Sequence, residues 1–284
     1  MKIIKDVHIL IVGLGLIGGS YACGLKKRGF KVSAITKLQE DIDYAINEGI
    51  INYGTTKVDE SLIKSADIVI FGLYPSALLN WIDEYSHLFK SGTIITDVTG
   101  VKSSIVYKIQ SKLPSGVEYI SAHPMAGREV SGVKNSSDAI FNDANYIVVP
   151  TENNTENAIE LCKNLGEVLG FKNVAVLSPE KHDRMIGFLS QLTHCIAVSL
   201  MCANDDENLV KYTGDSFRDL TRIATINEEM WSELFLMNRD ILLGEMDTFK
   251  EQFDKMYTAI KQGNREDIKD MMRLSTKRRK LFDK

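Results

Sequence analysis

Cysteine is scarce in this 284-residue chain, and the four present follow no pattern. Cys23, Cys162, Cys195 and Cys202 form no C-x-x-C pair or other metal spacing, which argues against a zinc site or a disulfide framework and implies reduced thiols in a cytoplasmic protein. Cys195 adjoins His194, but neighbours on a helix point about 100° apart, so it reads as a buried structural thiol rather than a nucleophile. A basic excess is also missing: the formal net charge is −4, which argues against nucleic acid or an anionic membrane as partner. The single basic run, Lys277-Arg278-Arg279-Lys280, reads as a solvated helix end that complements the dipole. No apolar run approaches the roughly 20 residues of a membrane span. Met1-Lys2-Ile3-Ile4-Lys5-Asp6 leads directly into the first strand, leaving no room for the charged and apolar regions of a leader. The rest is ordinary for a soluble protein of about two domains, with 44% hydrophobic and 25% charged residues.

Against that plain background one stretch stands out. His8-Ile9-Leu10-Ile11-Val12 runs into Gly13-Leu14-Gly15-Leu16-Ile17-Gly18, an apolar strand that ends in G-x-G-x-x-G and passes into a helix-forming segment. That is the strand, turn and helix of a dinucleotide-binding unit. Gly13 permits the tight turn, Gly15 admits a pyrophosphate to the backbone, and Gly18 lets helix pack on strand, while the N–H groups of the helix start favour an anion. A second strand, 31–36, ends at Thr36-Lys37, where an Asp or Glu would take the ribose hydroxyls of NAD. With Lys37 there and the nearest acids at Glu40 and Asp41, the cofactor expected is NADP, with NAD the alternative.

Further strands at 68–72, 93–97, 117–121 and 146–149 alternate with helical segments, which implies a doubly wound parallel sheet of Rossmann type. The turn Leu73-Tyr74-Pro75-Ser76 follows one of them and Thr99 another, at the sheet edge where cofactor binds. One more helix and strand extend the sheet, and beyond Ser178-Pro179-Glu180 the chain reads as helices at 182–203, 228–261 and 267–282. The division expected is a dinucleotide-binding domain at 1–178 and an all-helical substrate and dimerisation domain at 179–284. Leu234, Met237, Ile241, Leu242, Met246, Phe249 and Phe253 recur at helical spacing. A helix so long cannot bury that stripe alone, so a second subunit is expected to cover it; intramolecular core is the alternative.

Of five histidines, His8 lies in the first strand and His87 at a surface helix end, both reading as structural. His123 follows a strand at the ligand-binding edge and is the candidate base, since neutral imidazole accepts a proton near physiological pH. A capping or buried loop histidine is the alternative.

His123-Pro124-Met125-Ala126-Gly127, with Glu129 and Ser131-Gly132, resembles the H-P-[MI]-A-G-x-E-x-S-G segment of the prephenate and arogenate dehydrogenases, the oxidoreductases of tyrosine biosynthesis. Asp97-Val98-Thr99-Gly100-Val101-Lys102 resembles their D-V-x-S-x-K, and Ser190-Gln191-Leu192-Thr193-His194 their S-H-x-P-H. Phe217-Arg218-Asp219-Leu220-Thr221-Arg222-Ile223-Ala224, then Met230-Trp231 and Asn238, resembles their F-[RK]-D-x-T-R-I-A…M-W…N. The resemblance implies oxidation of prephenate to 4-hydroxyphenylpyruvate and CO₂ by a homodimer. It makes His123 the base, Arg222 the carboxylate ligand, and His194, Gly127, Glu129 and Trp231 substrate-side residues. His182, on roughly the same helix face as His194, is expected to line the cleft, and Asp219 is the alternative partner for Arg222. Gly100, Gln191 and Thr193 depart from the pattern; with the family serine lost at Gly100, Thr99 or a water would have to orient His123. Three rivals stand beside this reading: arogenate as substrate, a β-hydroxy-acid dehydrogenase using Lys181, and a regulator that senses NADP(H) without chemistry.

Overall fold

Strands apolar at every position are stable only with helices on both faces of their sheet. The computed structural model, which describes residues 6–282, has that arrangement. In chain order come β1 (His8–Val12), α1 (Leu16–Lys27), β2 (Lys31–Ile35), α2 (Gln39–Asn47), β3 (Tyr53–Thr55), α3 (Glu60–Ser65), β4 (Ile68–Phe71), α4 (Pro75–Tyr85), β5 (Ile94–Asp97), α5 (Val106–Gln110) and β6 (Glu118–Tyr119). The six strands are parallel, in the order β3-β2-β1-β4-β5-β6. Alternate side chains serve opposite layers. Ile9, Ile11, Ile68 and Ile70 pack toward Tyr21 and Leu25 of α1, while Leu10, Val12, Val69 and Phe71 pack toward Leu78 and Ile82 of α4. Strand order reverses between β1 and β4, which opens a crevice at their carboxyl ends. The leader reading rests on Met1, Lys2, Ile3, Ile4 and Lys5, which lie outside the described residues.

Beyond β6 the expectation of one continuous parallel sheet is corrected. β7 (Ser121–Pro124) pairs antiparallel with β8 (Asn145–Val149), and β8 pairs parallel with β9 (Asn173–Val176), making a separate three-stranded sheet. The connections explain the directions. Between β7 and β8 the chain has only short 3-10 turns, Val133–Asn135 and Asp138–Phe141, whereas α6 (Glu156–Leu169) supplies the helical crossover that a parallel pair needs.

The remainder is helical: α7 (Pro179–Ile186), a π-helical segment Gly187–Leu192, α8 (Thr193–Cys202), α9 (Asp215–Thr221), α10 (Glu228–Met237), α11 (Arg239–Lys261) and α12 (Arg265–Arg279). Residues 228–261 are thus two helices, broken at Asn238. The buried Asn238 amide donates to Asp183 O at 3.0 Å and Gln191 Oε1 at 2.7 Å, and Gln191 Nε2 donates to Leu234 O at 3.0 Å. These bonds hold the break against the start of the helical region. The apolar stripe divides as well: Leu234 and Leu242 are core, but Phe253 is 63% exposed and Met246, Phe249, Tyr257 and Ile260 are exposed with it. Pro179–Cys202 is long and apolar enough to cross a membrane by composition, which corrects the expectation that no stretch comes near that length. Cys195 is half-buried rather than buried.

Asn238→Ala leaves Gln191 Oε1 without its donor and takes from Asp183 O one of two, the Gly187 N–H remaining, so stability to urea should fall by about 1–3 kcal/mol with helix content retained. A loss within about 0.5 kcal/mol, the usual surface value, would show that these bonds do not hold the break.

Candidate functional site

The glycine turn has the shape of a cradle. Gly13 is at φ +96°, and a Cβ there would lie 2.6 Å from Gly72 O, so the turn after β1 touches the turn after β4. A Cβ on Gly18 would lie 2.0 Å from Gly13 O, whereas one on Gly15 would meet nothing within 4 Å. The first turn of α1 has no acidic residue and Gly15 offers no side-chain cap, so its N–H groups face open space with the partial positive charge of a helix start. A pyrophosphate fits this place. Leu14 is buried, and Leu16 and Ile17 are half-buried, leaving backbone as the lining. At the end of β2, Thr36 donates its N–H to Thr55 O at 3.2 Å and Lys37 is exposed. Tyr74 is exposed and accepts from Asn227 Nδ2 at 3.4 Å, Pro75 opens α4, and Ser76 N–H donates to Glu233 of α10 at 2.5 Å. The cofactor-edge turn is therefore bonded to the helical region.

His123 sits near the end of β7, beside the carboxyl edge of β5. Its Nδ1 lies 2.8 Å from His182 Nε2, and His182 Nδ1 lies 2.8 Å from Asp183 Oδ1. Asp183 also accepts N–H bonds from Lys102 and Ser103, each at 2.8 Å. Burial raises its carboxyl group, but the bonds from His182 and Ser103 outweigh this and hold it below its ordinary value. Proton positions follow by elimination. An ionised Asp183 only accepts, so His182 Nδ1 donates to it, His182 Nε2 accepts, His123 Nδ1 donates, and His123 Nε2 keeps a free lone pair. Burial, then the neighbouring His182 and Lys102, hold His123 well below the usual imidazole range. It is a neutral, oriented base.

His182 is fully buried behind His123 and does not line a cleft beside His194. The π-helical segment between them breaks the regular turn on which the shared-face expectation rested. Thr99 is buried, its hydroxyl given to Asp97 and Val101 O, so it does not orient His123; that task falls to His182. At Gly100 a Cβ would lie 3.4 Å from Leu234 Cδ1 and 3.9 Å from His123 Cε1, so an apolar wall faces the imidazole where the family has a hydroxyl.

The substrate-side candidates form a second group. Arg222, in a 3-10 turn after α9, pairs with Glu129 at 2.5 Å rather than with Asp219. Their side chains are 66% and 37% exposed, and such pairs contribute about 0–1 kcal/mol, so the guanidinium is readily released to another carboxylate. Gly127 is exposed beside them in the loop after β7. His194 donates Nδ1–H to Ser190 O at 2.9 Å and stacks on Trp231 with ring centres 3.7 Å apart. Burial lowers its imidazole, which also feels Glu129 and Arg222. Lys181 is exposed in the first turn of α7. Sequence reasoning missed His182 and Asp183 as orienting groups; adjacent in sequence, they lie far from His123 along the chain, and only folding brings them together.

Comparison with known proteins agrees with this layout. The family model for the prephenate dehydrogenase nucleotide-binding domain matches residues 21–175, and that for the prephenate dehydrogenase dimerization domain matches 178–274. The chain is 32% identical to a prephenate dehydrogenase of Bacillus subtilis (strain 168), over 94% of this chain and 74% of that one. It is 35% identical to a prephenate dehydrogenase of Lactococcus lactis subsp. cremoris (strain MG1363), over 89% and 71%. Among solved structures it resembles prephenate dehydrogenase from A. aeolicus in complex with hydroxyphenyl propionate and NAD+, with a TM-score of 0.89 and 28% identity over 99% of this chain and 100% of that one.

The glycines separate two effects. Gly15→Ala has room, so it should fold normally and bind nicotinamide cofactor at least tenfold more weakly by calorimetry, whereas Gly18→Ala should lose thermal stability even without cofactor. Equal cofactor affinity in folded Gly15→Ala would remove the turn from the binding site.

Proposed function

Since the chain belongs to the prephenate dehydrogenase family, we propose that it oxidises prephenate to 4-hydroxyphenylpyruvate and CO₂, with His123 as base and Arg222 as carboxylate anchor. The observation that carries this reading is the ordered contact from Asp183 through His182 to His123, which leaves Nε2 as the acceptor. The chain is a nicotinamide-dependent oxidoreductase, and the bound nicotinamide supplies the hydride acceptor. Residues 13–18, with Thr36, Lys37, Tyr74, Pro75 and Thr99, are the candidates to hold it. Of the two cofactors we favour NADP, because β2 ends in Thr36 and an exposed Lys37 with no carboxylate to bind ribose hydroxyls.

Arg222 exchanges Glu129 for a substrate carboxylate, and its planar fork fixes orientation as well as charge. Glu129 gates that exchange, Gly127 leaves room in the loop, and His194 with Trp231 walls the substrate. His123 Nε2 then takes the ring hydroxyl proton as hydride leaves the same carbon. The dienone carbonyl so formed draws, through the conjugated ring, the electron pair of the C–CO₂⁻ bond at the para carbon, which releases CO₂ and leaves a phenolate that regains the proton held on His123. Aromatisation makes the step effectively irreversible.

The same reading places the boundary between domains at residues 178 and 179, where Ser178 caps α7 by accepting from Lys181 N–H. It makes the protein a cytoplasmic homodimer. The exposed apolar half of α11 and the family description of this region as a dimerization domain support the pairing, and the free thiols of all four cysteines are compatible with the compartment.

The test follows nicotinamide reduction with NADP⁺ or NAD⁺ and prephenate or arogenate offered separately. Prephenate with NADP⁺ should turn over fastest; silence with all four pairs in folded, cofactor-binding protein would sink the reading. His123→Asn should keep substrate affinity and lose about 10²–10⁴ in kcat, while Arg222→Ala should chiefly raise KM. Because the His123 imidazole is held down, the acid limb of kcat should lie below the ordinary imidazole pKa, activity falling only as pH drops through that lowered value.

A further inference from the structure

Lys102 is fully buried, and the reaction as described makes no use of its ammonium. Three bonds take up the group: Nζ donates to Asp97 Oδ2 at 2.9 Å, to Thr99 Oγ1 at 3.2 Å and to Ala122 O at 2.6 Å. Ala122 is the residue immediately before His123 in β7. The main-chain N–H of the same lysine donates to Asp183 Oδ1, the oxygen that also receives His182 Nδ1–H. We propose that Lys102 is a positioning residue that holds His123 from two sides at once. Its ammonium fixes the backbone that carries the imidazole, and its amide fixes the carboxylate that sets the imidazole's partner.

The geometry gives this closed loop two consequences. With Asp183 held by the N–H groups of Lys102 and Ser103, His182 cannot reverse its donor and acceptor nitrogens without turning a nitrogen lone pair on that fixed carboxylate. His123 therefore cannot exchange its free Nε2 for Nδ1. The second consequence is electrostatic. A buried cation beside both imidazoles disfavours either becoming imidazolium, which keeps His123 in the form that accepts a proton. The other titratable groups around the pair are Asp97 on β5, Tyr119 on β6, Cys162 on α6 and Asp183 on α7; Tyr119 and Cys162 are held neutral by burial. Among the described residues Asp97 is the one counter-charge that contacts the ammonium. Solvent reaches neither member of that pair, so the field at the imidazoles is little screened by salt.

The proposal rests on His123 being the base of the reaction, and the experiment separates the two. Lys102→Met removes the anchor and the cation. Its kcat should fall about 10²-fold, the loss that displacement of a reacting group by about 1 Å brings, while KM stays within about threefold. Its acid limb should move to higher pH, because the charge that opposed imidazolium is gone. Asp97→Asn/Lys102→Met removes both charges together, a replacement that buried pairs tolerate better than loss of one partner. In it the acid limb should return toward that of the unaltered enzyme while kcat stays low. Histidine ¹⁵N spectra need no turnover: the unaltered protein should show one imidazole protonated only at Nδ1, and in Lys102→Met, which keeps the main-chain N–H to Asp183, that imidazole should become doubly protonated at higher pH. Unchanged kcat and acid limb in Lys102→Met, or in the double variant a kcat within threefold of normal, would overturn the proposal. Should the unaltered protein turn over neither substrate, the function fails by itself, and a histidine titration in Lys102→Met unchanged from that of the unaltered protein would then overturn the proposal independently.

Discussion

A carboxylate without water has to be neutralised and bonded on every side, and Asp97 is where this protein meets that demand. It ends β5, is wholly buried, and accepts from Thr99 N–H and its hydroxyl, Lys102 Nζ, Tyr119 OH and Ser121 Oγ. Those donors come from the turn after β5, from β6 and from β7, so one desolvated group joins the edge of the six-stranded sheet to the start of the three-stranded one. Burial pushes its carboxyl group up, but the Lys102 charge and the hydroxyl bonds outweigh that and hold it ionised. Breaking one of these contacts leaves a charge stranded in the interior, which is costlier than losing an exposed ion pair. The strand that carries His123 is tied down by this requirement.

The other constraint is that the chemistry straddles both halves of the chain. His123, the proposed base, stands on β7, its partners His182 and Asp183 on α7, and Leu234, across Gly100 from it, on α10. The same α10 offers Trp231 to His194 and Glu233 to the backbone at Ser76. A short helix thus reaches the cofactor-edge turn, lies beside Gly100 next to His123, and stacks Trp231 on His194. That placement relies on the kink at Asn238, because an unbroken helix through this region would carry Leu234 and Trp231 on a direction set by the long α11.

Much of this was legible from residue patterns where the physics is local. The glycine turn declares itself because each of its positions has its own steric demand, and β1, β2, β4 and β5 because they are short apolar runs between turns. His123 was legible as the candidate base from its place after a strand and from the family segment around it. What escaped depends on partners distant along the chain. The direction of β8 was set by the lack of a crossover helix after β7. The break at Asn238 arose because a buried amide found Asp183 O and Gln191, which outweighs the helical spacing of the apolar residues around it. His182 was seen as a cleft residue because regular helical phase was assumed through 187–192. Arg222 found Glu129 rather than the nearer Asp219 because the loop after β7 returns over the 3-10 turn that carries it.

The π-helical turn has a meaning beyond that misplacement. A continuous α-helix fixes the angle between any two of its side chains, so a change that improved one would turn the other out of place. Gly187–Leu192 interrupts that gearing between His182, which contacts the proposed base His123, and His194, which stacks on Trp231 on the proposed substrate side. Side chains downstream of it are free to drift under selection for a different ring substituent without disturbing proton abstraction. Thr193, where the family has proline, opens α8 just past it, whereas Gln191 within it is committed to Asn238 and Leu234 O, and His182 keeps its contact with His123. Recognition and reactivity are inherited here as separable traits on one stretch of chain.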